Sequence, residues 1–460
     1  MIIKTLGKYN ITPPIEFFQG RLCQVSSKDL GKITDMGIEE GSVILMKDSD
    51  FSMPKIIKML QLKPRGIIFQ KGGAFYHPAI HLGVEGIPCF VGPDKNMSPF
   101  NGEIVFCDLN GGTIKINEDI CDENYVDADE YYKSIEAENY STKLNVNVCI
   151  RSARELEHFR RLKDAGITVP FITLFMEPII YKCEGDPYVV SKSNKNKIRE
   201  ILREYFLLAL GIAQQGVYVR TPEVTAKERG SKEKHASGLE ELRGIPYDLQ
   251  KDLSFIDVLF ELVAELASEP GNKGRLHIAL AMPRSAKDVA QASKILEAYL
   301  AGAKEKLEIG KDINLTIFAE TPYWLFPTKA LSDEVKQLCM ESYKEEFVKD
   351  SNKKILWGTG DLTATFMASS REIPEMCDYL LTKAEVIDAM RKSIQAWNSI
   401  GFKPDINGSL ACKPFKNDED NIKFFSLIME GNMELSVFPN VFLEVKKLVK
   451  EAEKRKGIQS

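Results

Sequence analysis

"LHIALAMPRSAKDVAQASKILEAYLAGAKEKLEIGKDINLTIFAE", residues 276–320, reads as strand, helix, strand. "LHIALA" and "LTIFAE" are short apolar runs of strand length, and the segment between them changes to a helical period. Val289, Ala292, Leu296 and Tyr299 recur at three- and four-residue steps and so share one helical face. Ser285 and Asp288 stand in front of them at capping-box spacing. A buried strand followed by an amphipathic helix and a second buried strand is the unit of a parallel sheet.

The unit recurs from residue 144 onward. Eight strand candidates follow one another: "LNVNVCI" (144–150), "PFITLF" (170–175), "GVYVR" (216–220), "LHIALA" (276–281), "LTIFAE" (315–320), "KILWGT" (354–359), "FKPDIN" (402–407) and "ELSVFP" (434–439). Helical stretches separate most of them. Eight such units over 144–460 predict an α/β chain with a (β/α)8 TIM barrel. A doubly wound open sheet is the alternative, because alternation alone does not establish closure.

The first 118 residues have a different texture. "GSVILM", "RGIIF", "IPCFVG" and "GEIVFCDLNGGTIKI" are strand-like runs punctuated by Gly and Pro-Asp, as in a small β-rich α/β domain. An acid-rich stretch over 119–143 then reads as a linker or exposed helix. At 460 residues, two or three domains are expected. The net charge of −5 excludes the basic excess of a nucleic-acid binder. No apolar run has the length of a membrane span, and "MIIKTLGKYNITPP" lacks the features of a signal peptide. The nine cysteines are scattered without a C-x-x-C pair, which predicts reduced thiols in a cytoplasmic protein rather than a zinc site.

In a barrel of this type the chemistry gathers where strands end at their C-terminal edge. Those ends carry Arg220, Glu320, Asp361 and Asn407, with Arg243 and Arg371 nearby in sequence. Glu320 and Asp361 are hard oxygen ligands suited to Mg2+. The arginines suit a ligand bearing phosphate and carboxylate, which a guanidinium grips bidentately. The charged, glycine-containing segment "TAKERGSKEKHASG" between Arg220 and Arg243 reads as a lid or as a solvated loop.

"KGGAFYHPAIHLGVEGIPCFVG", residues 71–92, adds a histidine just past Gly72-Gly73. It resembles the phosphohistidine signature of the phosphoenolpyruvate-utilising enzymes: phosphoenolpyruvate synthase, pyruvate phosphate dikinase and enzyme I of the sugar phosphotransferase system. "TIFAETP", "WGTGDLTATFMASSR", "YVRTPEV" and "LRGIPY" resemble that family's barrel motifs. The resemblance implies a swivelling phosphohistidine domain with His77 as phosphoryl carrier, then a barrel that holds Mg2+ through Glu320 and Asp361. Arg220, Arg243 and Arg371 would bind the substrate, with Gly360 and Asn407 beside them. It implies a phosphotransferase acting on phosphoenolpyruvate or a pyruvate-like acceptor, a homodimer, and an ATP-grasp partner on a separate chain. Neither nucleic acid nor membrane is implied as a partner.

The chain departs from the family pattern at several points. Phe75 replaces a small hydroxyl residue, Gly83 an arginine and Gly360 an asparagine. Asn407 stands where the family has the cysteine that protonates the enolate. Cys412, five residues on, is the candidate replacement acid, since an ordinary thiol with a pKa of about 8.5 keeps its proton near neutrality. These departures leave two alternatives: a different acceptor such as a phenol, or a divergent non-catalytic, regulatory paralogue.

Overall fold

Short runs of four to nine residues make up every strand of the computed structural model. It describes residues 1–9, 17–26, 38–47, 58–71, 77–117, 128–136, 140–176, 187–223, 244–303, 306–320, 354–358, 384–399, 402–407, 418–431 and 433–458, together with residues 15, 28 and 324. The chain divides into two compact units with a boundary near residue 138.

In the first unit, β1 (Ile2–Tyr9), β2 (Phe17–Val25), β3 (Val43–Met46), β4 (Gly66–Phe69), β5 (Cys89–Pro93), β6 (Ile104–Asp108) and β7 (Thr113–Ile116) close into a small barrel in the order β1-β5-β4-β3-β2-β6-β7. Strands β2 to β5 run parallel, and the remaining pairs are antiparallel. Ile3, Phe18, Leu22, Val43, Leu45, Ile68, Phe90, Val105 and Ile114 belong to one buried core. Phe18 lies so close to β4 that a Cβ at Gly66 would come within 2.2 Å of its ring, so only glycine fits there. The helix His77–Val84 connects β4 to its parallel neighbour β5, and His77 is its first residue. Four strand-like runs correspond to β3 through β7, whereas β1 and β2 escaped the sequence reading. The acidic stretch contains a helix, Ala128–Glu136, that buries Ile135.

The second unit carries β8 (Val146–Ile150), β9 (Phe171–Phe175), β10 (Gly216–Arg220), β11 (Leu276–Ala281), β12 (Ile313–Ala319), β13 (Lys354–Gly358), β14 (Lys403–Asn407) and β15 (Glu434–Val437). Each coincides with one of the eight expected runs. All are parallel, and β15 pairs back onto β8 through Ser436 and Asn147. The closed ring excludes the open doubly wound sheet. Strands β8, β9, β10, β13 and β15 are buried at every residue, as required of parallel strands with side chains inside the ring and helices outside.

Local signals account for the helices between them. Ser285 and Asp288 form the expected capping box at Ala286–Ala301, with Asp288 Oδ2 accepting from the Ser285 amide at 3.0 Å. Val289, Ala292 and Leu296 face inward, but Leu300 rather than Tyr299 completes the buried stripe. Ser152 caps Ala153–Asp164 by accepting from the Glu155 amide. Among the described residues no helix is long and apolar enough to cross a membrane.

Inside the ring the N-terminal half of the strands holds a polar cluster. Glu434 Oε2 lies 2.5 Å from Lys354 Nζ, and Oε1 lies 3.1 Å from Lys403 Nζ. Asn147 Nδ2 donates to both Asp405 and Glu434 at 3.1 Å, and Ser436 Oγ donates to Asp405 at 2.9 Å. Burial, then the charge of Glu434, push the Asp405 carboxyl up to about 7. Glu434 is driven down to about 2: burial acts upward on it, but Lys354 and Lys403 together outweigh that. Glu434 therefore stays charged, and Asp405 is the member of the pair that holds its proton to higher pH. The half-buried His277, its Nε2 enclosed, is held neutral with a pKa of about 3 by desolvation and then by the charge of Lys354. Such clusters at the N-terminal end of a barrel serve stability rather than chemistry.

Candidate functional site

Between that cluster and the C-terminal ends the interior turns aromatic. Cys149, Phe171, Phe175, Tyr218, Ala279, Phe318 and Leu356 pack together, with Phe438 against them. Above this layer each strand delivers its last residue, or the one after it, to a common rim.

Arg220 closes β10 and is buried, with 6% of its surface exposed. Its Cζ lies 4.7 Å from the ring centre of Phe175 and 4.4 Å from that of Phe318, both within cation–π range. Its Nη2 pairs with Glu223 Oε2 and lies 3.0 Å from Glu320 Oε2. Glu320 directly follows β12, and the end of β13 leaves room for it. A Cβ on Gly358 would come within 2.4 Å of both Cγ and Oε1 of Glu320, so that glycine permits the carboxylate its position. Asn407 closes β14, fully buried, and its Oδ1 accepts from Cys149 Sγ at 3.0 Å.

A fourth polar residue sits directly after β8. Arg151 Nη2 donates to Glu155 Oε1 at 3.0 Å, while Glu155 Oε2 accepts from the Arg151 amide at 2.6 Å. The Arg151 guanidinium lies over Phe438, 4.0 Å from Cζ to the ring centre. Burial raises the Glu155 carboxyl pKa against the opposing pull of Arg151.

Three of the expected site residues, Arg220, Glu320 and Asn407, thus lie at the same edge of the sheet. Arg243, Arg371, Gly360, Asp361 and Cys412 lie outside the described residues, as does the charged segment proposed as a lid. His77 is in the other unit, at a helix start. The sequence reading missed Glu223 and Arg151. Both were accessible to the rule that located Arg220: "CIRS" and "VRTPE" put a charge one to three residues past a buried strand.

The residues present suit a hard divalent cation. Glu223 and Glu320 converge on one guanidinium nitrogen, and Mg2+ commonly takes only one or two carboxylates and keeps water for the rest. Among the described residues no group of three or more His, Cys, Asp or Glu side chains is placed to hold a metal.

No protein-family model matches the chain, and no curated protein matches it in sequence. Solved structures do match. A citrate lyase from Burkholderia xenovorans shares 12% identity at a TM-score of 0.40, over 68% of this chain and 80% of that one. An HpcH/HpaI aldolase from Desulfitobacterium hafniense shares 10% at 0.37, over 72% and 98%. The protein CitE from Mycobacterium tuberculosis, solved in complex with magnesium and pyruvate, shares 13% at 0.32, over 68% and 91%.

These matches correct the family expectation. Those named by activity are a citrate lyase and an aldolase, not phosphoenolpyruvate-utilising enzymes. The phosphotransferase reading falls with the family, as do phosphoenolpyruvate or a phenol as substrate, His77 as phosphoryl carrier and the separate ATP-grasp subunit. The homodimer inferred from that family and the non-catalytic paralogue fall as well. The physical reason is that the motifs report a scaffold and an electrostatic need, not a reaction. A carboxylate at one strand end and guanidiniums at others serve any barrel that stabilises an oxyanion.

Proposed function

We propose that the barrel is an enzyme of the lyase or aldolase type, making or breaking a carbon–carbon bond next to the carbonyl of a small oxo acid, with Mg2+ as cofactor. The observation that carries this reading is the buried Arg220 guanidinium, set between Phe175 and Phe318 and contacted by Glu223 and Glu320. Aldol-type chemistry places negative charge on a carbonyl oxygen, and fixed charges in a dry, low-dielectric site stabilise it better than water does.

Bound Mg2+ would supply a Lewis acid for that oxygen. Glu320 holds the metal in this proposal, together with Asp361. Arg220, Arg243 and Arg371 bind the substrate carboxylate, with Gly360 and Asn407 alongside, and Cys412 returns a proton to the enolate carbon. Magnesium and pyruvate, the partners of the protein CitE noted above, are the natural first probes.

The finer division of the chain belongs to the same proposal: residues 1–118 as a swivelling domain, 119–143 as a linker and 144–460 as the barrel. It is supported by two closed sheets, each with its own core. A cytoplasmic location is supported by the thiols of Cys23, Cys89 and Cys107, none of which is in a disulfide.

The test is proton exchange. Pyruvate in D2O with Mg2+ and the protein should lose its methyl proton signals, and an added aldehyde should be captured as a hydroxy-oxo acid. In that capture a methyl proton leaves, the enolate carbon bonds the aldehyde carbon, and the resulting alkoxide takes up a proton. Both the exchange and the capture should be lost in Glu320→Ala. A folded protein that catalyses neither in the presence of Mg2+ would sink the reading.

A further inference from the structure

Arg151 is not explained by the site as proposed. It follows β8 and is 8% exposed, and its contacts use only one edge of the guanidinium. Glu155 takes Nη2, yet Nε and Nη1 are buried and have no hydrogen-bond partner among the described residues. Buried guanidinium donors are costly to leave unpaired and are normally satisfied.

The surroundings fix where those donors point. Phe438, which Arg151 covers at 4.0 Å, packs against the buried aromatic cluster inside the ring. The guanidinium is therefore on the axis side of the barrel wall rather than among the outer helices. Glu155, itself capped by Ser152, clamps it through both the side chain and the backbone amide, so the planar fork is preorganised.

We propose that Arg151 is a second anion-recognition residue of the barrel mouth, so that the substrate carries two anionic groups rather than one. This rests on the proposed function and names its substrate class: an oxo acid whose far end bears a carboxylate or phosphonate-like group. Arg151 and Arg220 flank β9, and neighbouring strands lie about 4.8 Å apart, which puts the backbones of the two arginines roughly 10 Å apart around the ring.

Calorimetric titration in the presence of Mg2+ tests this with three probes: pyruvate as monoanion, oxaloacetate as dicarboxylate, and phosphonopyruvate, which exchanges the second carboxylate for a phosphonate. The wild-type protein should bind one of the dianions more tightly than pyruvate, and the preferred one identifies the group that Arg151 receives. Arg151→Lys keeps the charge beside Glu155 but loses the fork. It should weaken the preferred dianion by about tenfold or more while leaving pyruvate within about twofold. The double variant Arg151→Met with Glu155→Gln removes the buried pair together, which folds tolerate better than removing one partner, and should show the same selective loss.

Equal effects on monoanion and dianion, or none on either, would overturn the assignment while leaving the proposed function standing. Failure of both variants to fold would assign Arg151 to structure and overturn it too. A wild-type protein that binds none of the three probes defeats the proposed function and takes this inference with it.

Discussion

Arg220 Nη2 lies 3.0 Å from Glu320 Oε2, so a guanidinium at the end of β10 reaches past β11 to a carboxylate at the end of β12. Glu223 contacts the same nitrogen. Among the described residues, two buried carboxylates thus face one buried cation.

Replacing Arg220 should expose that imbalance. Arg220→Met leaves Glu223 and Glu320 buried without their guanidinium, and breaking a buried pair this way costs about 3–5 kcal/mol. Urea unfolding should show the loss, and millimolar Mg2+ should restore part of it by binding the folded state. A variant as stable as wild type without Mg2+ would mean that the cluster is solvated and electrostatically unimportant.

Gly358 offers a subtler handle. Gly358→Ala places a methyl group within 2.4 Å of Glu320 Cγ and Oε1, and the carboxylate must turn away. Mg2+ affinity should fall by about tenfold or more, in the range seen when the support of a metal ligand is disturbed. The same methyl would come within 2.6 Å of the buried Phe318 ring, so urea unfolding should show a loss of stability alongside. Calorimetry with Mn2+ or Mg2+ reads this directly, and unchanged affinity would remove Glu320 from the metal site.

The polar cluster near the other end of the barrel should make stability depend on pH. Asp405 is raised from its ordinary value of 3.8 to about 7, so the folded state holds its proton more tightly than the unfolded chain. That contribution is fully present below pH 4 and is lost as pH rises through 7. Glu434 works in the opposite sense, lowered to about 2 from 4.5, and its contribution is lost as pH falls below 4.5. Asp405→Asn should therefore flatten the decline between about pH 4 and 7 and leave the acid limb intact. Chemical unfolding across that range checks it, and identical profiles for the two proteins would show that Asp405 does not hold the proton.

The eight barrel strands were legible because parallel strands buried on both faces must be short, nearly continuous apolar runs, and "PFITLF", "GVYVR" and "LHIALA" are such runs. The capping box at Ser285 and Asp288 was legible for the same reason, being a purely local arrangement. In β2, by contrast, only Phe18, Leu22 and Val25 are buried, and Gly20 and Arg21 interrupt the apolar pattern in between. In β1 an exposed Ile2 precedes the buried Ile3, so hydrophobicity does not track burial.

By itself, then, the sequence determined the eight strands of the second unit, their parallel arrangement and the charges at their ends, since each depends on residues close together in the chain. Closure and convergence were decided by tertiary structure. The pairing of β15 with β8 brings Phe438 under Arg151, and the ring brings Glu320 to Arg220 across a hundred positions. Which carboxylate meets which guanidinium, and which donors a ligand must satisfy, depend on strand register around a closed ring. Those distances are set by packing, and residue type alone does not encode them.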